Sequence, residues 1–240
     1  MLEVLHEDAD LVAVAKPPGR LVIPGRGPAE ATVQEEAQQA LGRLWVVHRL
    51  DRGTSGVLLF ARSAAAHRAV NLAFDRHQVW KRYLALVRGP LPATLRVEVP
   101  IAPGRRGRMR AVPAGGPRAR PAITALRVLE RLGRAEASAL VEAIPETGRT
   151  HQIRVHLAWA GAPLCIDPDY GPSEPLRDGA GRLLLDRTPL HAERLALAHP
   201  STGARLEISA PLPEDMERAL AWARSAAPAS DPSGGRGSGP

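Results

Sequence analysis

The sequence predicts an α+β fold in one domain, and three features carry that prediction. Short apolar runs recur with the period of two expected of half-buried strands, stretches with i, i+3, i+4 apolar spacing lie between them, and no low-complexity linker interrupts residues 1–226. Beyond Ala226 the composition changes: "APASDPSGGRGSGP" at 227–240 is rich in Pro, Gly and Ser and is predicted to form a disordered tail.

In chain order, "LEVLHEDADLVAVAKPPG" predicts two short strands about an Asp-rich turn, ended by Pro-Pro-Gly, with Lys16 at the exit. "TVQEEAQQALG" predicts a helix, because Thr32 can cap its start, Glu35 stands at the capping-box position and Gly42 follows the last turn. Residues 46–61, "VVHRLDRGTSGVLLFA", set a polar turn between two apolar runs. Ser63 then caps a second helix, whose buried face is expected to be Ala66, Ala69, Val70, Ala73, Phe74 and His77. "KRYLALV" alternates as a strand, sending Tyr83, Ala85 and Val87 to one side and Leu84 and Leu86 to the other.

"LRVEVPIA" predicts one further strand, and the six arginines of the acid-free "GRRGRMRAVPAGGPRARP" are expected to contribute nothing to a core. "AITALRVLE" and "ASALVEAIP" predict paired strands. "TGRTHQIRVHLAWAGAP" predicts a helix with Thr150 as N-cap, Ile153, Leu157 and Ala160 as its apolar stripe, and His151 and Arg154 sharing a face. "LHAERLALAHPSTGARLEISAP" predicts a hairpin turning at Pro-Ser-Thr-Gly, and "EDMERALAWARS" a closing helix.

Lys+Arg outnumber Asp+Glu by 32 to 25, so a polyanion is the expected partner, with RNA, DNA and an acidic membrane all open on charge alone. Only Lys16 and Lys81 are lysines; the remaining cations are arginines, which suit planar phosphate and base contacts, although a GC-rich genome also enriches Arg, Ala, Gly and Pro. The single cysteine, Cys165, excludes an internal disulfide and a cysteine-built zinc site. The N-terminus has acidic residues and no long apolar core, and no run approaches membrane-spanning length, so the expected location is the cytoplasm.

Asp51 has four readings on these grounds: general base, nucleophile, metal ligand or turn-former, the last being the default for an Asp followed closely by Gly. A hydrolase triad of His48, Asp51 and Ser55 is rejected, since three such neighbours rarely converge in line and no G-x-S-x-G surrounds Ser55. His151 and His156 sit about 140° apart on a helix and cannot share a metal. "AVAK" and "HRLD" imitate kinase motifs, but no D-F-G follows and only roughly thirty residues separate them.

The motifs agree instead with one family. "HRLDRGTSGVLLFARS" resembles the signature of the RluA-type RNA pseudouridine synthases, matching H-R-L-D-x-x-T-S-G at every fixed position. The likeness is collinear: "HEDADLVAVAKPPG" resembles the family's first strand pair, "VWKRYLALVRG" its second motif, "ETGRTHQIRVHLAWAG" its third and "LHAERLALAHPSTG" its C-terminal hairpin. One departure is visible in "CIDPDYG", where Ile166 stands in place of the glycine usual before the Asp.

The resemblance implies a mixed, mostly antiparallel sheet flanked by helices, with an active-site cleft across it, and isomerisation of uridine in ribosomal or transfer RNA without cofactor or metal. It implies that Asp51 attacks the target nucleotide, that Arg154 pairs with Asp51 and favours its ionised form, and that Tyr83 stacks on the target base. It also points to Thr54, Lys81 and Ile153 as residues near the substrate. A base inside folded RNA must be flipped out, and Arg49, two residues before Asp51 on an extended segment, is the candidate to fill its place. Arg105, Arg106 and Arg108 belong to the arginine-rich loop expected to grip phosphates.

Some relatives carry an N-terminal S4 RNA-binding module; here nothing precedes the first strand, so target choice is expected to rest on the catalytic domain. The expected protein is a monomer with no protein partner. The rivals are a non-catalytic RNA-binding or RNA-chaperone protein on the same scaffold, and a nucleosidase that would release free uracil.

Overall fold

The computed structural model describes residues 2–25 and 30–225, except for the side chain of Arg106. The predicted tail at 227–240 lies outside the described residues. The elements run β1 (Glu3–Glu7), β2 (Leu11–Lys16), α1 (Val33–Leu41), β3 (Trp45–Val46), β4 (Ser55–Ala61), α2 (Ala64–Asp75), β5 (Trp80–Val87), β6 (Thr94–Val97), β7 (Ile101–Pro103) and β8 (Met109–Ala111). They continue β9 (Thr124–Arg134), β10 (Ala137–Pro145), α3 (Gln152–Trp159), β11 (Leu176–Arg177), β12 (Leu183–Leu185), β13 (Leu190–Ala198), β14 (Arg205–Ser209) and α4 (Glu214–Arg224).

Ten strands share one sheet in the order β1-β2-β4-β13-β5-β10-β9-β6, with β14 on β13 and β3 on β4. Among the described residues only β4 and β13 run parallel; every other pairing is antiparallel, so the sheet is mixed and mostly antiparallel as the resemblance implied. Helices cover both faces. At one end β2 and β4 send Leu11, Ala13, Val57 and Leu59 to α2, and Val12, Val14, Leu58 and Phe60 to α1. At the other, Ala85 and Val87 of β5 meet Ile153 and Leu157 of α3, while Leu84 and Leu86 meet α4. A strand covered on both faces reads as a continuous apolar run, which is why all of β4 is buried.

The predicted caps are present. Thr32 accepts the Glu35 N–H at 3.2 Å while the Glu35 carboxylate accepts the Thr32 N–H at 2.8 Å, completing the capping box of α1. Ser63 accepts the Ala66 N–H at 3.1 Å at the start of α2.

Four local expectations fail for identifiable reasons. "LRVEVPIA" is two strands, not one: β6 pairs with β9, the chain breaks at Pro100, and β7 pairs with β8 in a separate two-stranded sheet. The arginine-rich segment is therefore partly ordered, and Met109 and Ala111 pack on buried Ile101, Ala122 and Val155. α3 starts after His151, at φ 55°, and not after Thr150 as N-cap. His77 lies past the end of α2, at φ 57° and exposed, outside that helix's buried face. The short β3, β11 and β12 add to what was expected.

Two glycines of the opening turn act inside the protein. A Cβ on Gly56, whose φ is +117°, would lie 2.2 Å from the Ala192 carbonyl oxygen of β13, and one on Gly53 would lie 2.2 Å from the Thr188 hydroxyl. Their missing side chains let the β4 end of the turn close on the parallel strand. Gly56→Ala must therefore displace backbone and adopt strained φ; it is expected to destabilise by more than about 2 kcal/mol in denaturant unfolding. Gly53→Ala, which meets a rotatable hydroxyl, should cost clearly less.

Candidate active site

Asp51 ends the extended segment that follows β3 and opens a tight turn into β4, closed by the Thr54 N–H donating to the Asp51 carbonyl at 3.1 Å. Every carbonyl of that turn is held. Arg52 O accepts from the Gly19 N–H at 2.8 Å and from Lys16 Nζ at 3.1 Å, Gly53 O from Arg187 Nη1 at 3.3 Å, and Thr54 O from Lys16 Nζ at 2.7 Å. Lys16 is buried and also donates to Pro17 O at 3.0 Å. Burial and then Arg187 push its ammonium down to about 7, against a pull upward from Asp51. Arg187 is itself fixed by two 2.7 Å bonds to Asp215 at the start of α4. The buried Thr54 hydroxyl has no hydrogen-bond partner among the described residues.

His48 anchors the approach to the turn: its Nε2 accepts the Leu59 N–H at 3.0 Å, and the ring stacks on Phe74 at 5.3 Å. Ser55 is hydrogen-bonded not to His48 but to buried His191, at 3.0 Å. The hydrolase triad rejected on sequence has no geometry here.

Arg154 approaches Asp51 from α3. Its Nη1 donates to Asp51 Oδ2 at 3.4 Å, across 103 positions of sequence. The other guanidinium nitrogens are taken by Asp167, through Nε to Oδ2 at 2.8 Å and Nη2 to Oδ1 at 2.7 Å, and by Asp169 at 2.8 Å. The Tyr170 ring lies 4.9 Å beneath the guanidinium carbon. Burial alone would lower the Arg154 pKa, but the bonds to Asp167 and the charges of Asp167 and Asp51 raise it, so the group is a permanent cation. Ile166, in the usual glycine's place, buries its side chain against α4 residues and leaves Asp167 directed at Arg154.

His151 flanks the same carboxylate, with Nε2 3.8 Å from Asp51 Oδ1 and Nδ1 2.7 Å from the Tyr170 hydroxyl. That hydroxyl also accepts the Met109 N–H of β8 at 2.8 Å. Burial pushes the His151 pKa down, Asp51 pulls it up, and the neighbouring Arg154 pushes it down again.

The predicted residues distribute unevenly. Asp51 and Arg154 meet directly, and Tyr83 is close enough for the Asp51 charge to add to burial in raising its phenol pKa above the ordinary range. Ile153 is buried in the core against which Tyr83 packs. Arg49 is exposed. Lys81 lies over Phe74 at 6.0 Å, and burial lowers its ammonium to about 8. Arg105 is exposed on the hairpin, whereas Arg108 is engaged within the protein, donating to Asp169 and to Pro168 O at 3.2 Å. The side chain of Arg106 lies outside the described residues.

Four residues at the site were absent from the candidates: Asp167, Asp169, Tyr170 and His151. The signal that could have exposed the first three is "DPDY" itself, two carboxylates and an aromatic close in sequence to a helical arginine that needs compensation. Among the described residues no group of three or more His, Cys, Asp or Glu side chains is arranged to hold a metal ion, and no helix is long and apolar enough to cross a membrane.

Comparison with known proteins gives this geometry a context. The family model described as RNA pseudouridylate synthase matches residues 10–159. The chain is 38% identical over 236 residues to the ribosomal large subunit pseudouridine synthase D of Xanthomonas campestris, covering 93% of this chain and 70% of that protein. It is 40% identical over 228 residues to the synonymous protein of Nitrosomonas europaea, covering 91% of this chain and 64% of that one. The structure superposes on human RNA pseudouridylate synthase domain containing 4 with a TM-score of 0.72, at 28% identity and 95% coverage of both chains.

The environment of His48 sets a pH dependence. Burial, aided by the Lys81 charge, lowers its pKa from 6.5 to about 3, so between those values the unfolded chain binds a proton that the folded chain does not. Stability should therefore fall as pH drops below 6.5, by about 1.4 kcal/mol per pH unit from this group. His48→Gln is expected to reduce the difference in unfolding free energy between pH 7 and pH 5, measured in denaturant titrations.

Proposed function

The chain belongs to the RNA pseudouridylate synthase family, and from that premise we propose that it converts uridine to pseudouridine in structured RNA, with Asp51 as the nucleophile. The observation that carries the reading is the pairing of a partly exposed carboxylate with a buried, fully compensated guanidinium. The Asp51 side chain is 30% exposed and that of Arg154 only 7%. The permanent positive charge of Arg154 faces this carboxylate, whose side chain is exposed enough to meet substrate.

The reaction breaks the bond between the base nitrogen and the sugar and joins the sugar to a ring carbon instead. The proton lost from that carbon is matched by one gained at the nitrogen, so mass is unchanged and neither oxidant nor phosphate donor is consumed. Tyr83 would offer its ring to the flipped base; its raised pKa keeps the phenol protonated at neutral pH, which suits stacking and hydrogen bonding over acting as a phenolate. Exposed Arg49 would occupy the space vacated in the RNA, and Arg105 of the hairpin would meet phosphate. Thr54 acts from the turn and Lys81 from β5, the strand that also carries Tyr83, and Ile153 belongs to the core against which Tyr83 packs.

The relatives' names favour ribosomal over transfer RNA. To the same proposal belong a catalytic unit at 1–226, action as a monomer without a protein partner, and residence in the cytoplasm.

Carbodiimide mapping of RNA treated with the protein is expected to reveal pseudouridine with no change in RNA mass; release of free uracil would mean hydrolysis instead. Asp51→Asn should keep fold and RNA affinity yet form no pseudouridine, and turnover at the wild-type rate would defeat the mechanism. Arg154→Ala should lose at least roughly a hundredfold in kcat/KM, with stability measured in parallel because Asp167 loses its partner. An unchanged rate would remove Arg154 from the mechanism.

A further inference from the structure

His151 occupies a backbone conformation that its residue type disfavours. It has φ 55° and ψ 19° and heads α3 without making a side-chain cap. Left-handed conformation is strained for a non-glycine residue, and it persists only where the surroundings over-determine it. Here the surroundings are specific: Tyr170 Oη lies 2.7 Å from Nδ1, the two rings meet edge to face at 5.6 Å, and Nε2 lies 3.8 Å from Asp51 Oδ1.

The hydrogen bonds accommodate one tautomer with each donor matched to an acceptor. Met109 has a backbone N–H that can only donate, so the Tyr170 oxygen accepts from it and its own proton is free for Nδ1. Nδ1 is then the acceptor and Nε2 carries the hydrogen. The opposite tautomer would aim an imidazole lone pair at a carboxylate. Burial keeps the ring neutral near pH 7 against the upward pull of Asp51.

Resting on the assignment of Asp51 as the nucleophile, we propose that His151 is a positioning residue for Asp51: its Nε2–H, oriented by Tyr170 and through Tyr170 by the β7–β8 hairpin, holds the second carboxylate oxygen while Arg154 holds the first. Asp51 thus meets one full charge and one neutral donor, which orients it without burying it in an ion pair. The hairpin reaches both groups by one intermediary each. Met109 acts on His151 through Tyr170, and Arg108 acts on Arg154 through Asp169. The element assigned above to RNA phosphates is therefore mechanically tied to the orientation of the nucleophile.

The test is single-turnover pseudouridine formation on the mapped RNA, with affinity measured separately. His151→Asn tolerates left-handed backbone and should slow the reaction roughly ten- to a hundredfold with RNA affinity within about twofold. Tyr170→Phe keeps the ring under Arg154 but removes the hydroxyl, and should slow it similarly; the double variant should be no slower than His151→Asn. A wild-type rate in His151→Asn, or losses that multiply in the double variant, would overturn the proposal. If His151→Asn does not fold, Tyr170→Phe decides alone, an unchanged rate counting against it. Asp51→Asn run beside them separates the two levels: an active Asp51→Asn sinks the nucleophile assignment, whereas an inactive one with unaffected His151→Asn sinks only this inference.

Discussion

A guanidinium that is only 7% exposed has to be compensated by carboxylates within reach, and this requirement gathers two other stretches of chain around Arg154. Stripping a cation of water costs several kcal/mol unless its N–H groups are bonded. Asp167, wholly buried, takes two of them in the parallel fork geometry that arginine and carboxylate share, and Asp169 takes another. Nη1 is left for Asp51, at 3.4 Å against 2.7 to 2.8 Å for the others. The carboxylate held most loosely is thus that of Asp51, whose side chain is 30% exposed.

A side chain can be aimed only as well as its backbone is held. The turn from Asp51 to Thr54 has little apolar surface of its own, and it is gripped through its carbonyls by the Gly19 N–H, Lys16 and Arg187. Lys16 ends β2 and Arg187 is braced by α4, so the turn is tied to both ends of the chain. Gly53 and Gly56 let those ties close, because any Cβ at either would strike Thr188 or Ala192.

Features governed by neighbours in sequence were legible. The capping box of Thr32 and Glu35 spans one helical turn, and the alternation of Tyr83, Ala85 and Val87 against Leu84 and Leu86 follows from the pleat alone. The β7–β8 hairpin was not, because its arginines mask Met109 and Ala111, whose burial depends on Ile101 and Val155. The start of α3 was misplaced by a residue, since Thr150 has the better capping side chain and the contacts of His151, with Tyr170 and Asp51, lie outside the local pattern.

The sequence by itself determined the fold class and most of its elements, because periodicity and caps are properties of adjacent positions, and its resemblance to one family singled out Asp51, Tyr83 and Arg154. Tertiary structure alone decided how those residues are held. Asp51 and Arg154 stand 103 positions apart, and Lys16, Arg187 and the pair Asp167 and Tyr170 come from three further places in the chain. Which carboxylate meets which cation is settled by the burial each suffers once the sheet and helices close, a quantity that no local pattern of residues contains.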